Sequence, residues 1–78
     1  MDLNQAIQKR IAEICRDTGM SICKISLGGG MTPSAIYDVL KNRVKNPTIT
    51  TLKRFCEGAD ITLAQFFDRE YFNDWIED

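Results

Sequence analysis

The sequence predicts an all-α fold of five short helices followed by an acidic, aromatic tail. Three observations carry that expectation. Apolar residues recur three and four positions apart in one segment after another, which places them on one side of a helix, and no stretch reads as a strand. Hydroxyl or carboxylate residues stand at the heads of these segments, where a side-chain oxygen can accept from the free amides of a helix start. Glycine, asparagine and proline fall between the segments.

Asp2 and Gln5 stand three apart, as a capping box requires. Leu3, Ile7, Ile11, Ile14 and Cys15 follow at helical spacing, with Gln8, Lys9, Glu13 and Arg16 on other faces. Gly19 supplies a stop, so the first helix is expected over residues 3–17. The second is expected over 21–27, with Ser21 as its cap and Ile22 and Ile25 facing inward. Gly28-Gly29-Gly30 then interrupts the chain, because glycine costs roughly 1 kcal/mol more than alanine per helical position. Gly30 can take the positive φ that turns the backbone. Thr32 caps the third helix, and Pro33 takes the first helical position, where its missing N–H costs nothing. Met31 closes over that start as a staple. Ile36, Val39 and Leu40 form the buried stripe, and Ser34, Ala35, Tyr37 and Asp38 stay on the outer faces.

Residues 41–46, KNRVKN, form a basic polar loop, in which Asn42 is the candidate for a left-handed helix cap. After Pro47, Thr48 caps a fourth helix with Ile49, Leu52, Phe55, Cys56 and Ala59 on one face. Thr62 and Gln65 make a second capping box, opening a fifth helix whose inward residues are Leu63, Phe66 and Phe67. In the tail, Phe67, Tyr71 and Trp75 repeat every fourth residue, as do Phe72 and Ile76, which favours a helical turn or two. Glu77 and Asp78 oppose the dipole at its end. The chain divides into residues 1–67, which hold the five helices, and the tail at 68–78, a docking or dimerisation segment.

Seventy-eight residues are near the lower limit for a self-sufficient core, and 44% hydrophobic with 27% charged residues argues against disorder. No apolar run reaches the roughly 20 residues that span a bilayer, and MDLNQAIQKR lacks the features of a signal peptide, so a cytoplasmic protein is expected. Three cysteines and no histidine fit neither a disulfide framework nor a zinc site. Cys15, Cys23 and Cys56 are expected as small buried or half-buried thiols. Cys23, beside Lys24 near a helix start, is the candidate for a reactive one. The net charge of −1 hides a division: residues 1–54 hold nine Lys/Arg against four Asp/Glu, and residues 55–78 hold Arg69 against seven acids. A local patch, not the total, sets the footprint for nucleic acid.

Two helices joined by so tight a turn are a candidate helix-turn-helix. In order and spacing the chain resembles the lambda-repressor/Cro-type helix-turn-helix family. The resemblance rests on Ile25-Ser26, on Gly30-Met31-Thr32 with Ser34 and Ile36, on Asn46-Pro47-Thr48-Ile49 with Thr51-Leu52, and on Ile61-Thr62-Leu63 with Phe66-Phe67. It covers residues 21–67. There are departures. Ser26 stands where alanine is usual and needs its hydroxyl bonded back to the helix. Pro33 replaces a polar donor, Asn42 stands where glycine is common, and Gly28-Gly29 shortens the second helix.

The resemblance implies a sequence-specific reader of double-stranded DNA, bacterial or phage, acting as a homodimeric repressor. Pro33, Ser34, Ala35, Tyr37 and Asp38 would face base edges. Serine and tyrosine can bond there, alanine can touch a thymine methyl, and Asp38 needs a cytosine amine or a neighbouring cation. Ser21, Lys24, Thr32, Lys41, Asn42, Arg43 and Lys45 would meet phosphate. Read from periodicity alone, the outer face of the third helix could equally be solvated surface, and Lys41, Arg43 and Lys45 could be an ordinary soluble loop, though their place just after that helix favours phosphate contact. Tyr71, Phe72, Trp75 and Ile76 either fold back on the small core or anchor a second subunit.

The glycine run has no Gly-Lys-Ser/Thr after it and no strand before it, so it is not read as a phosphate cradle. No nucleophile stands beside a base and no paired carboxylates share a face, so no enzyme, cofactor, metal or small-molecule ligand is expected. Pro33, Asp38 and the negative total motivate a rival reading, an interaction module or accessory subunit that keeps the fold without specific DNA binding.

Overall fold

The computed structural model describes residues 1–74, and its elements follow the caps. They are α1 (Leu3–Thr18), α2 (Ile22–Gly28), α3 (Pro33–Leu40), α4 (Ile49–Ala59) and α5 (Leu63–Phe66), followed by a 3-10 turn at Glu70–Phe72. No strand occurs among the described residues. Both capping boxes form: Asp2 and Thr62 each accept from the amide of the glutamine three residues on, and that glutamine's side chain accepts from the cap's own N–H. Ser21 and Thr48 cap through their hydroxyls as expected. Thr32 sits at the cap of α3, but its hydroxyl lies 3.0 Å from Ser34 Oγ and takes no backbone amide. Gly19 and Gly30 adopt the left-handed region at φ 68° and 76°, and Asn42 does so at 59° just past α3.

Ile7, Ile11, Ile14, Ile25, Ile36, Val39, Leu52, Phe55, Cys56, Ala59 and Phe66 form one core. Phe66 joins α5 to it, with its ring edge-on to Phe55 at 6.1 Å. Ile49, expected in the buried face of α4, is instead 61% exposed, because it occupies the first helical turn, beyond the core layer built by Leu52 and Phe55. Leu40 is only half-buried at the end of α3.

The glycine run has a second purpose that its turn-forming role conceals. α2 runs one residue further than expected, through Gly28, and Gly29 caps it by donating to the carbonyls of Ile25 and Ser26. A Cβ on Gly29 would fall on the carbonyl oxygen of Arg54, and a Cβ on Gly58 would fall on that of Ile25. α2 and α4 therefore meet backbone to backbone, and only glycine at 29 and 58 leaves room. That close packing offsets the cost of glycine at a helix end. Ser26 lies wholly buried beside this crossing. Its hydroxyl has no hydrogen-bond partner, contrary to the expected bond back to the helix.

The tail makes one helical turn, within the turn or two expected, and it is of the 3-10 kind, at residues 70–72. These residues dock on α1. Tyr71 donates its hydroxyl to Glu13 at 2.7 Å, with Lys9 Nζ 4.6 Å from the ring centroid. Phe72 packs beside Phe67 and Phe66. Arg10, buried within α1, donates Nε to the Phe66 carbonyl at 2.7 Å and Nη2 to that of Gln65 at 2.9 Å, so a cation closes the C-terminal end of α5. Arg10 and Arg69 both approach the Glu13 carboxylate at 3.5 Å. Of the two alternatives for Tyr71 and Phe72, folding back on the core or anchoring a second subunit, the first is the one these contacts match. Trp75 and Ile76 lie outside the described residues.

Candidate nucleic-acid interface

The turn between α2 and α3 is fixed by three backbone bonds. Gly30 donates to Leu27, Met31 to Ser26 and Ala35 to Thr32, at 3.1, 2.9 and 3.2 Å. With Ile25 and Ile36 fully buried, α3 is held by its inner stripe. Its other side then presents Ser34 and Tyr37 to solvent, with Pro33, Ala35 and Asp38 half-buried at the margins. These five are the expected base-facing residues, and they share one short helix.

The loop after α3 is built on the carbonyl of Asp38. Arg43 and Val44 both donate their amides to it, at 2.8 and 3.2 Å. Left-handed backbone at Asn42 makes that return possible. The Arg43 guanidinium lies 3.6 Å from the Asp38 carboxylate, so the acid that would repel phosphate has a cationic neighbour. That pair is solvent-exposed and weak, and leaves most of the guanidinium accessible. Lys41 Nζ lies 5.8 Å from the centroid of the Tyr37 ring. Lys41, Asn42, Arg43 and Lys45 are all exposed, as are Ser21, Lys24 and Thr32 at the starts of α2 and α3. Asn42 differs from the rest, because its side-chain oxygen is already occupied by hydrogen bonds from Asn4 and Gln8.

Between α3 and the start of α4 lies a groove of about 300 Å³ lined by Ala35, Asp38, Val39, Val44, Pro47 and Thr51. Val44 is 44% exposed, an apolar side chain between two cations, and sequence reasoning did not single it out. Nor did it find Arg54, whose Nη1 donates to the Gly30 carbonyl at 3.3 Å and so adds a cation beside the turn. No spacing rule links positions 30 and 54. Gly58 did leave a signal, since a glycine inside an otherwise well-patterned helix marks a close approach.

The thiols divide by burial. Cys56 is buried and Cys15 half-buried, and loss of hydration pushes both up from the ordinary thiol value. Cys23, expected to be buried or half-buried like the others, is instead exposed, because it lies on the solvent side of α2, opposite the buried Ile25. No helix among the described residues is long and apolar enough to cross a membrane.

Compared with known families, residues 10–71 match the one described as a Cro/C1-type HTH DNA-binding domain. No curated protein matches the chain.

Proposed function

The chain belongs to the Cro/C1-type helix-turn-helix DNA-binding family, and from that premise we propose that it is a sequence-specific transcriptional repressor acting by operator occupancy. The observation that carries the reading is the contrast in solvent access around α3: its inner stripe is buried, while Ser34 and Tyr37 stand free beside a loop that offers Lys41, Arg43 and Lys45. In this reading α3 enters the major groove, with Ser34, Ala35 and Tyr37 at base edges and Pro33 and Asp38 at the margins of the contact. Ser21, Lys24 and Thr32 meet phosphate on one side of it, and the basic loop on the other. In this reading the protein is of bacterial or phage origin and works in the bacterial cytoplasm. It binds as a homodimer, reading two half-sites about 34–36 Å apart.

Selection from a pool of random duplexes, followed by sequencing, tests this. The expected result is an enriched site with two-fold symmetry and half-sites one helical turn apart. An enriched but asymmetric site would remove the dimer. No enrichment, together with binding that is indifferent to salt, would favour an interaction module that keeps the fold alone.

A further inference from the structure

Gln8 lies on α1, outside the helix-turn-helix, yet its amide is spent on the end of α3. Nε2 donates to the Val39 carbonyl at 2.8 Å and to Asn42 Oδ1 at 2.8 Å. The orientation is forced. A main-chain carbonyl only accepts, so Gln8 must present its NH2 there, and Asn42 must then present its oxygen. Asn42 Oδ1 also accepts from Asn4 Nδ2 at 3.0 Å, and Asn4 is itself buried. Two side chains of α1 thus grip the one residue whose left-handed backbone starts the basic loop. The next two residues, Arg43 and Val44, return their amides to Asp38.

We propose that Gln8 is a positioning residue for DNA binding. Through Asn42 it sets where Arg43 and Lys45 stand relative to α3, while touching no DNA itself. The inference rests on the DNA-binding reading above and adds to it that α1 controls the phosphate-contacting loop. Without the tie, the loop samples other arrangements, and binding is reduced by the fraction in which it is misplaced.

The test uses the full chain, a fluorescent mixed-sequence duplex and a series of salt concentrations. Gln8→Met keeps the stem and removes the amide; Asn42→Gly keeps the left-handed backbone and removes the side chain. Gln8→Met is expected to weaken binding about three- to tenfold, the scale of one or two hydrogen bonds, and to make the log–log salt slope shallower by about one. Amide exchange at Arg43 and Val44 should quicken. In the Asn42→Gly background, Gln8→Met should add less than about twofold, because the two act through one contact. If Gln8→Met lowers the melting temperature but leaves affinity and slope unchanged, Gln8 only caps α3 and the proposal is overturned. If the unsubstituted chain itself binds without salt dependence, the DNA-binding reading falls and takes this inference with it. That result is distinct from the first, in which the parent chain binds normally.

Discussion

Tyr71 and Tyr37 have similar neighbours and opposite uses. Each carries a lysine ammonium near its ring, Lys9 at 4.6 Å and Lys41 at 5.8 Å. The Tyr71 hydroxyl is committed to Glu13, whereas that of Tyr37 has no partner among the described residues and its ring is exposed. The arginines divide the same way. The Arg10 side chain is 6% exposed and bonded to two carbonyls; that of Arg43 is 67% exposed and, among the described residues, meets one carboxylate. One region, the clasp of tail on α1, uses its charges to hold the fold. The other, around α3 and its loop, leaves them open to solvent, where the proposed DNA contact would use them. A total charge of −1 says nothing of this division.

Arg10 holds the clasp most firmly. Arg10→Ala leaves the end of α5 without its cation and Glu13 with Arg69 as its ion-pair partner, and should cost about 3 kcal/mol of stability, measured by chemical denaturation. A cost below about 1 kcal/mol would mean that the clasp is decorative. Gly58→Ala attacks the joint between the regions. The new methyl must push α2 from α4, at about 2 kcal/mol net of the better helix propensity of alanine. A melting temperature unchanged by that substitution would contradict the backbone-to-backbone crossing.

Tyr71→Phe is smaller, at about 1 kcal/mol, but it carries a pH signature. The hydrogen bond from Tyr71 holds the Glu13 carboxyl below its ordinary 4.5; burial opposes this and Arg10 and Arg69 reinforce it. Glu13 therefore contributes stability that is present above pH 4.5 and lost as pH falls through the lowered value. Burial and the bond to Glu13 push the Tyr71 phenol from 10.0 up to about 12. Its contribution is complete below pH 10.0 and lost as pH rises through about 12. Melting temperature against pH should fall at both ends in the parent chain and flatten at both ends in Tyr71→Phe. Equal curves would sever the pair.

Much of this division was legible in residues and spacing. The capping boxes at Asp2 and Thr62, the left-handed Asn42 and the stripe of Ile36 and Val39 all depend on neighbours within a few positions, and local chemistry decides them. Periodicity places Ile49 on the inner face of α4 but does not report where the core ends, and Ile49 lies beyond it. Aromatic spacing predicts a helical turn in the tail, which residues 70–72 make, but not where that turn docks. Tyr71 is held by Glu13 and Lys9, some sixty positions away. The glycine crossing, the Arg54 reach to Gly30 and the grip of Gln8 on Asn42 share that cause. Each joins positions more than twenty apart, and no periodicity reports such a contact.

The smallest effect on stability is expected at Arg43, in the exposed loop after α3. Arg43→Ala removes an exposed pair and should change stability by less than about 0.5 kcal/mol. In duplex binding across a salt series, however, its log–log slope should be about one shallower than that of the parent chain, while Lys9→Ala in the clasp leaves the slope unchanged. A slope that moves with Lys9 and not with Arg43 would place the DNA-binding face elsewhere on the molecule.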